Sequence, residues 1–320
     1  RSRPIYDIIP LLCGARQEIQ QDPRLFAHRL RGSVYIPEGN SPERELSYLI
    51  CSRPNCLNER VRRDDILIPS MRKTLELAFQ LAKAEFKLRN EGSYLGIFWY
   101  LLNPIFTFAI LYLIFADKLG SDIAAYPAYL LLGIILFNVF QSTTVESAKS
   151  ILKEYHYLIK SIQFPRESLV LAIVIKNIFS HIFEIVLFGL LLAYMHISLI
   201  GLISYLPLLI LFAAFIYGAS LLIAALTVYF VDLDNIWNFA VRIIWFGTPI
   251  FYAIGNQTGL LALNKTNPMY YFITAARDMV VYGRMPSAEI VIGTICFSLG
   301  FLAIGTLVFG RLKHKFAELI

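Results

Sequence analysis

The chain has 320 residues, of which 57% are hydrophobic and 16% charged, and its mean hydropathy is +0.59. Soluble domains carry about 25% charged residues, so this composition excludes an ordinary soluble protein and indicates a membrane protein. The net charge of +6 is not accompanied by a basic groove interleaved with aromatic residues, which argues against binding to nucleic acid.

Residues 1–70 differ in composition from the rest of the chain. They contain eleven Arg and no Lys, whereas residues 71–320 contain seven Arg and eleven Lys. They show neither a sustained helical or strand period nor a signal-peptide pattern. We therefore expect the natural start at Met71, with residues 1–70 as upstream sequence or a poorly folded extension; a small cytosolic domain is the alternative. Cys51 and Cys56 lack a second ligand pair, so we predict no metal site.

A basic amphipathic helix is predicted after Met71, within a segment that runs over 71–93. Its apolar positions recur at helical spacing and are Leu75, Ala78, Phe79, Ala82 and Phe86. Lysines occupy most of the opposite face, a pattern typical of helices that lie along the cytosolic membrane surface.

Apolar runs long enough to cross a hydrocarbon core of about 30 Å follow this helix. They lie near 97–116, 127–146, 168–195, 202–230, 236–254 and 288–310. The predicted fold is therefore an all-α polytopic membrane protein with six transmembrane helices. Pro207 and Pro249 are expected to kink the fourth and fifth spans.

The basic residues predict the orientation of these spans. If the chain enters the first span from the cytosol, twelve Lys and Arg lie in inside segments and four in outside segments. The positive-inside rule then places both termini in the cytosol, with residues 314–320 as a cytosolic tail.

The loop between the second and third spans is predicted to form a short amphipathic helix. Its apolar positions recur at helical spacing and are Ile151, Tyr155, Leu158, Ile159 and Ile162. Lys153 and Glu154 take other faces, and the pattern stops at Phe164, which precedes a proline. Such a helix could present a rigid ridge to a soluble partner, or it could merely join two spans.

Ionisable residues within spans are costly and usually face protein or water. Lys176, His181 and Glu184 fall in the third span, and the last two are three residues apart, hence neighbours on one face. A proton relay would indicate a secondary transporter; a structural hydrogen bond is the alternative that a single isolated pair favours.

Aromatic residues concentrate in and after the fifth span. They are Trp245, Phe246, Phe251, Tyr252, Tyr270, Tyr271, Phe272 and Tyr282. Tyr and Trp collect at membrane interfaces, but aromatic platforms also suit a passage for glycans, whose sugar faces are weakly apolar. We predict that Trp245, Phe251, Tyr252, Tyr270, Tyr271, Phe272 and Tyr282 include residues of such a path.

Five ordered motifs resemble those of one protein family. They are GSYLGIFWYLLNPIF at 92–106, LIKSIQFPRESL at 158–169, LTVYFVDLDNIWN at 226–238, TPIFY at 248–252 and NPMYYFITAARDMVVYG at 267–283. Together they resemble permease subunits of ABC-2 type exporters, in the branch that moves polysaccharides and polyol phosphates. Val231 departs from this pattern, since many relatives carry a basic residue there, before Asp232.

The resemblance implies a transmembrane domain over 94–313 that forms a homodimer and pairs with two copies of a separate ABC ATPase, which binds ATP and Mg. It implies export of a lipid-linked polysaccharide, O-antigen-like as first choice, across the bacterial inner membrane. Teichoic acid, capsule or another amphipathic cargo is the alternative. This chain itself carries no phosphate-loop motif, so we expect no ATPase activity of its own.

The resemblance also implies roles for particular segments. The surface helix and the loop after the second span would contact the ATPase, through residues expected to include Phe79, Lys83, Phe86, Lys153, Glu154, Tyr155, Leu158, Ile159, Ile162, Phe164 and Arg166. Short re-entrant helices are implied on the outer side at about Gly259 to Arg284. Arg277 is expected to brace that segment, or to meet a lipid-linked diphosphate.

A membrane-embedded transferase is the answer from a different class. Such an enzyme needs clustered acids that hold a metal and a diphosphate. Asp232 and Asp234 are close together in sequence, but no second acidic cluster accompanies them. The sequence therefore favours a transport subunit over an enzyme.

Overall fold

The computed structural model of the chain describes residues 71–90, 98–120, 123–154, 164–255 and 257–316, all within one compact unit, Leu67–Ile320. No strand occurs among these residues, which confirms the predicted all-α fold for them. The predictions for residues 1–70, including Cys51 and Cys56, lie outside the described residues. So do those for Tyr155, Leu158, Ile159, Ile162 and the cytosolic tail after residue 316.

The described helices follow the apolar periods of the sequence. They are α1 Met71–Asn90, α2 Phe98–Leu119, α3 Tyr126–Lys149, α4 Glu167–Tyr194, α5 Gly201–Tyr229, α6 Leu233–Gly247, α7 Thr258–Lys265, α8 Pro268–Ala276 and α9 Ala288–Leu312. Helix α3 continues into a π-helical turn, Ser150–Glu154, and α8 into another, Arg277–Val281. A 3₁₀ turn, Lys313–Lys315, follows α9.

Five of the described helices are long and apolar enough to cross a membrane. The qualifying segments are Leu101–Leu119, Tyr126–Leu152, Glu167–Tyr194, Gly201–Tyr229 and Ala288–Lys315. They correspond to the first four predicted spans and the sixth. The chain is therefore a polytopic membrane protein.

The predicted fifth span, 236–254, is not one continuous helix. Helix α6 has 15 residues, about 22 Å at 1.5 Å per residue, and ends at Gly247. Thr248 then adopts extended geometry, as expected for a residue that precedes proline. Pro249 thus follows the end of a helix and does not kink one, which corrects the expectation from sequence.

Two ends of the bundle can be distinguished. At the end that we call the α8 end, α8 and its π-turn pack on the first turns of other helices: Tyr271 lies on Gly293 of α9, and the Met279 carbonyl lies beside Gly201 of α5. At the opposite end, Ile151, Leu169, Val228 and Phe316 belong to one apolar cluster. We call this the basic end, after Lys149, Arg166, Lys313 and Lys315. Helices α3, α5 and α9 therefore run from the α8 end to the basic end, and α4 runs back.

Helices α5 and α9 touch through two glycines. A Cβ at Gly305 would lie 2.1 Å from the carbonyl oxygen of Gly218, and a Cβ at Gly218 would lie 2.4 Å from backbone atoms of Phe301 and Leu302. Small residues at such contacts let helix backbones approach closely in a membrane, where van der Waals packing drives association. Only glycine fits at either position without separating the helices.

Candidate functional site

The end of α6 is held at the α8 end by the buried side chain of Arg277. Its Nη1 donates to the Pro249 carbonyl at 2.6 Å and its Nη2 to the Ile250 carbonyl at 2.8 Å. Nε and Nη2 also donate to the carbonyl of Tyr129 in α3, at 3.2 and 3.1 Å. The guanidinium carbon lies 3.2 Å from the centroid of the Tyr129 ring. Within the described part of the chain no carboxylate forms an ion pair with Arg277, so backbone carbonyls and a ring face solvate this buried cation.

Gly133 makes room for that guanidinium. It lies on α3 one turn after Tyr129, and a Cβ built there would lie 2.7 Å from Nη2 of Arg277. The Tyr129 side chain also contacts this segment, since its hydroxyl donates to the Tyr252 carbonyl at 2.8 Å and lies 3.3 Å from the Pro249 carbonyl. The chain that leaves α6 is thus fixed on α3 by three residues, Tyr129, Gly133 and Arg277. We call these the α6 clamp.

Asn267 ties the same segment to α8. Its side-chain oxygen accepts from the Met269 N–H at 3.0 Å, which caps the helix, and its Nδ2 donates to the Thr248 hydroxyl at 2.7 Å. On the surface nearby, Lys265 pairs with Glu289 at 2.7 Å, and this hydrogen bond raises the pKa of Lys265 above its ordinary value. The segment after α6 is therefore built of α7, α8 and a π-turn that are anchored to α3, α6 and α9.

Aromatic rings form a continuous surface between α2 and the end of α6. Phe251 stacks on Phe115 of α2 with centroids 5.0 Å apart and lies 5.6 Å from Trp245. Trp245 meets Phe246 edge to face at 4.9 Å, and Tyr252 meets Phe251 in the same way at 5.1 Å. We call these five rings the aromatic surface. Phe246 is 66% exposed and the others are half-buried, so flat apolar faces are presented at this position.

The remaining predicted path residues do not share this surface. Phe272 is fully buried and packs on Phe212 and Phe215 of α5, with centroids 5.1 and 5.0 Å apart. Tyr271 is buried as well and donates its hydroxyl to the Lys265 carbonyl at 3.0 Å. The structure assigns these two rings to the core, because neither has a face free for another molecule. Tyr270 and Tyr282 are half-buried, at the rim of the α8 end.

The residues predicted to contact the ATPase divide into exposed residues and residues that pack on the bundle. Phe79 is 50% exposed and Lys83 is exposed on α1, whereas Phe86 stacks on Phe183 of α4 at 6.5 Å. Phe164 packs against the apolar cluster of the basic end. Arg166 donates to the Lys313 carbonyl and lies 5.8 Å from the centroid of the Phe316 ring. Phe164 and Arg166 therefore anchor the end of the loop to the bundle. Lys153 and Glu154 lie in the π-turn after α3.

The three predicted ionisable residues of α4 each have partners. Lys176 pairs with Glu85 of α1 at 2.9 Å and Glu146 of α3 at 3.0 Å. His181 is buried, with Nδ1 2.9 Å from the Glu184 carboxylate and Nε2 2.7 Å from the hydroxyl of Tyr205 on α5. A neutral imidazole that donates from Nδ1 accepts at Nε2, so both contacts are satisfied at once. The contact between His181 and Tyr205 thus joins α4 to α5.

Comparison with known proteins now identifies the family. The sequence profile described as ABC-2 type transporter matches residues 76–281, well over half of the chain. The chain belongs to the ABC-2 type transporter family. It is similar to the O-antigen export system permease protein RfbA of Myxococcus xanthus, with 25% identity over 253 residues, 76% of this chain and 95% of the relative. A Klebsiella pneumoniae protein of the same name is 26% identical over 250 residues, 77% of this chain and 95% of the relative.

Membership in the ABC-2 type family places the described geometry in a transmembrane transport subunit. The matched region begins within α1 and ends at the last residue of the π-turn after α8, so it includes the α6 clamp, the aromatic surface and the pairs around Lys176. The described residues contain no group of three or more His, Cys, Asp or Glu side chains that could hold a metal ion.

Several residues that contact the predicted site residues were not themselves predicted from the sequence. Glu85 and Glu146 had no distinguishing signal, because an acidic residue on a surface helix or near a helix end is ordinary. Tyr129 and Gly133 carried a weak signal, because a glycine follows an aromatic residue by four positions inside an apolar run. Tyr205 could have been suspected, since a hydroxyl in a span needs a partner.

Proposed function

We propose that this chain is the permease subunit of an ATP-driven exporter that moves a lipid-linked, O-antigen-like polysaccharide across the bacterial inner membrane. The observation that carries the proposal is its alignment with relatives named O-antigen export system permease, over 95% of their length. The name describes those relatives. Because the match covers nearly their whole length and the family is shared, the same class of cargo is the best supported one for this chain.

The proposed topology has six crossings, with α6 and the extended residues after it as the fifth. Trp237, near the start of α6, meets Phe140 in the second half of α3 at 6.4 Å, and Phe251 lies at the first turn of α3, where Tyr126 donates to its carbonyl at 3.0 Å. The segment 237–251 therefore runs antiparallel to residues 126–140 of α3 and reaches the α8 end. The α6 clamp supports this, because it satisfies the carbonyls of non-helical backbone at membrane depth.

In the proposed orientation the basic end faces the cytosol, in line with the positive-inside rule. The α8 end then faces outward, and α7, α8 and the π-turn form the re-entrant segment. Both termini are cytosolic in this arrangement.

The proposed path for the glycan runs along the aromatic surface. A sugar ring offers hydroxyls and a weakly apolar face, and an aromatic ring offers a flat apolar face without a fixed charge. Phe115, Trp245 and Phe251 form a continuous row near the α8 end, and Phe246 extends it towards the outside of the bundle. Helix α2 and much of α6 leave large apolar side chains exposed, which include Leu113 and Phe239. This face is where we place a second copy of the chain, so that the path lies between two copies.

The proposed energy source is a separate ABC ATPase, present in two copies, which binds ATP and Mg. We place its contact at the basic end, on the exposed side of α1 around Lys83 and on the loop 151–164. Phe164 and Arg166 serve that contact indirectly, because they hold the end of the loop against the bundle.

Deletion of the gene in the bacterium that encodes it tests the proposal. Polysaccharide should disappear from the cell surface, and the lipid-linked polymer should accumulate on the cytosolic leaflet. The intact chain, supplied on a plasmid, should restore display. Chemical analysis of the retained polymer separates O-antigen from teichoic acid or capsule. Unchanged surface polysaccharide in the deletion strain would overturn the proposal.

A further inference from the structure

Three charged side chains from three helices meet near the basic end. Nζ of Lys176 on α4 lies 2.9 Å from Oε2 of Glu85 on α1 and 3.0 Å from Oε2 of Glu146 on α3. The Lys176 side chain is only 10% exposed, and those of the two glutamates are 20% and 27% exposed. Asn177 also donates to Glu146 at 3.0 Å. We call Glu85, Glu146 and Lys176 the charge triad.

The charge triad is poorly built as a source of stability. It holds two negative groups and one positive group, and Oε1 of Glu85 is buried without a hydrogen-bond partner in the described part of the chain. Desolvation of charges often cancels their attraction, so apolar replacements of buried ion pairs are commonly as stable as the pairs themselves. We therefore expect the charge triad to set the relative positions of the helices that it joins.

That geometry concerns the attachment of α1 to the bundle. The other contacts described between α1 and α4 are apolar: Ala78 and Ala82 pack on Ala172, and the Phe79 and Phe86 rings lie 6.2 Å from Phe179 and 6.5 Å from Phe183. Apolar and ring contacts are less directional than an ion pair. The bond from Glu85 to Lys176 is directional, so it fixes where α1 sits along α4.

The same lysine reaches the other element at the basic end. Glu146 lies on α3 one turn before Ser150, where α3 changes to the π-turn Ser150–Glu154. Lys176 therefore bonds to both α1 and the end of α3. We place the ATPase against α1 and against the loop that follows the end of α3, so this inference rests on the proposed function.

We propose that Lys176 is a positioning residue that makes α1 and the end of α3 move together when the ATPase changes conformation. Without it, the two elements shift independently, and ATP hydrolysis is no longer fully converted into transport. The proposal concerns the coupling between two activities and not the rate of either activity alone.

The test uses the complete complex of chain and partner ATPase in proteoliposomes, with the number of ATP molecules hydrolysed per glycan translocated as the readout. Lys176→Met should leave the complex assembled and hydrolysing ATP, but raise this ratio about 2- to 30-fold, the range of single-residue coupling effects. Glu85→Gln should act in the same direction. Glu289→Gln removes a carboxylate from an exposed ion pair at the α8 end, far from the proposed ATPase contact, and should leave the ratio unchanged.

Two further variants separate positioning from folding. Lys176→Arg keeps the charge and should restore most of the coupling. The triple variant Glu85→Gln, Glu146→Gln, Lys176→Met removes all three charges of the triad together. It should therefore assemble even if Lys176→Met does not, and it should still be uncoupled.

A wild-type ratio in the triple variant would overturn the inference. A wild-type complex that shows no ATP-dependent translocation would overturn the proposed function instead.

Discussion

The α6 clamp leads to a prediction about two residues that lie 144 positions apart in the sequence. Arg277→Met removes the donors to the Pro249 and Ile250 carbonyls but keeps an unbranched side chain of similar length. Gly133→Ala places a methyl group 2.7 Å from Nη2 of Arg277, which is too close for the guanidinium to stay in place. Each change disturbs the clamp from a different side.

The magnitudes follow from the contacts. Arg277→Met loses two charge-assisted hydrogen bonds to non-helical carbonyls, worth about 3–6 kcal/mol together. Relief from burying an unpaired cation offsets part of this, so we expect a net loss of about 2–4 kcal/mol. Gly133→Ala costs about 1–3 kcal/mol through overpacking, against a gain of about 1 kcal/mol in helix propensity. In the Arg277→Met background the overpacking largely disappears, so Gly133→Ala becomes neutral or stabilising.

The assay is a double-mutant cycle on the purified protein in detergent, with the thermal unfolding midpoint and the unfolding free energy as readouts. The coupling energy between Gly133→Ala and Arg277→Met should be about 1–3 kcal/mol, as expected for residues in direct contact. Gly189→Ala is the matched control, because its nearest neighbour would be a Leu202 methyl at 3.7 Å, and it should be additive with Arg277→Met. Additive effects of Gly133→Ala and Arg277→Met would refute the clamp.

Three other predictions follow from the packing. Gly305→Ala should separate α5 from α9 and lower the unfolding free energy by about 3 kcal/mol. Gly300→Ala places a methyl group in open space, so it should change the unfolding free energy little, and thermal unfolding compares the two variants. Tyr205→Phe should lower stability by about 1–3 kcal/mol, since it leaves a buried imidazole nitrogen unpaired; an unchanged midpoint would contradict this. Phe246→Ala should reduce glycan export without loss of stability, and Phe272→Ala should destabilise the protein by about 3–5 kcal/mol. A Phe246→Ala variant that exports normally, beside a stable Phe272→Ala variant that does not, would contradict the proposed position of the path.

The sequence predicted the positions of the long helices well, because their apolar periods are sustained and end at polar residues. The predicted spans 168–195 and 202–230 lie within one residue of α4 and α5 at each end. The sequence-based prediction was wrong at the end of α6, where the helix stops at Gly247. The run continues through Ile250, Phe251 and Tyr252, so hydropathy alone does not register that the helix has stopped. The proline that stops it was interpreted as a kink.

The partners of the site residues were harder to predict than the residues themselves. Lys176 was singled out because charge is rare within an apolar span, and Arg277 because of the re-entrant segment that the family resemblance implies. Neither observation connected these residues to Glu85 or Tyr129, which lie 91 and 148 residues away. Such contacts depend on how helices pack, and one sequence carries no record of that. Phe272 shows the converse, since an aromatic residue in an aromatic-rich segment gives no sign of whether it faces the core or a passage.

ATP-dependent translocation in proteoliposomes tests the central claim most directly. The chain is reconstituted with the ABC ATPase that copurifies with it and with a lipid-linked glycan on the ATPase side, and the glycan that reaches the opposite leaflet is measured. The account predicts translocation with hydrolysable ATP, none with a non-hydrolysable analogue, and no change when a proton gradient is abolished. Translocation that needs no ATP and follows the proton gradient would contradict it.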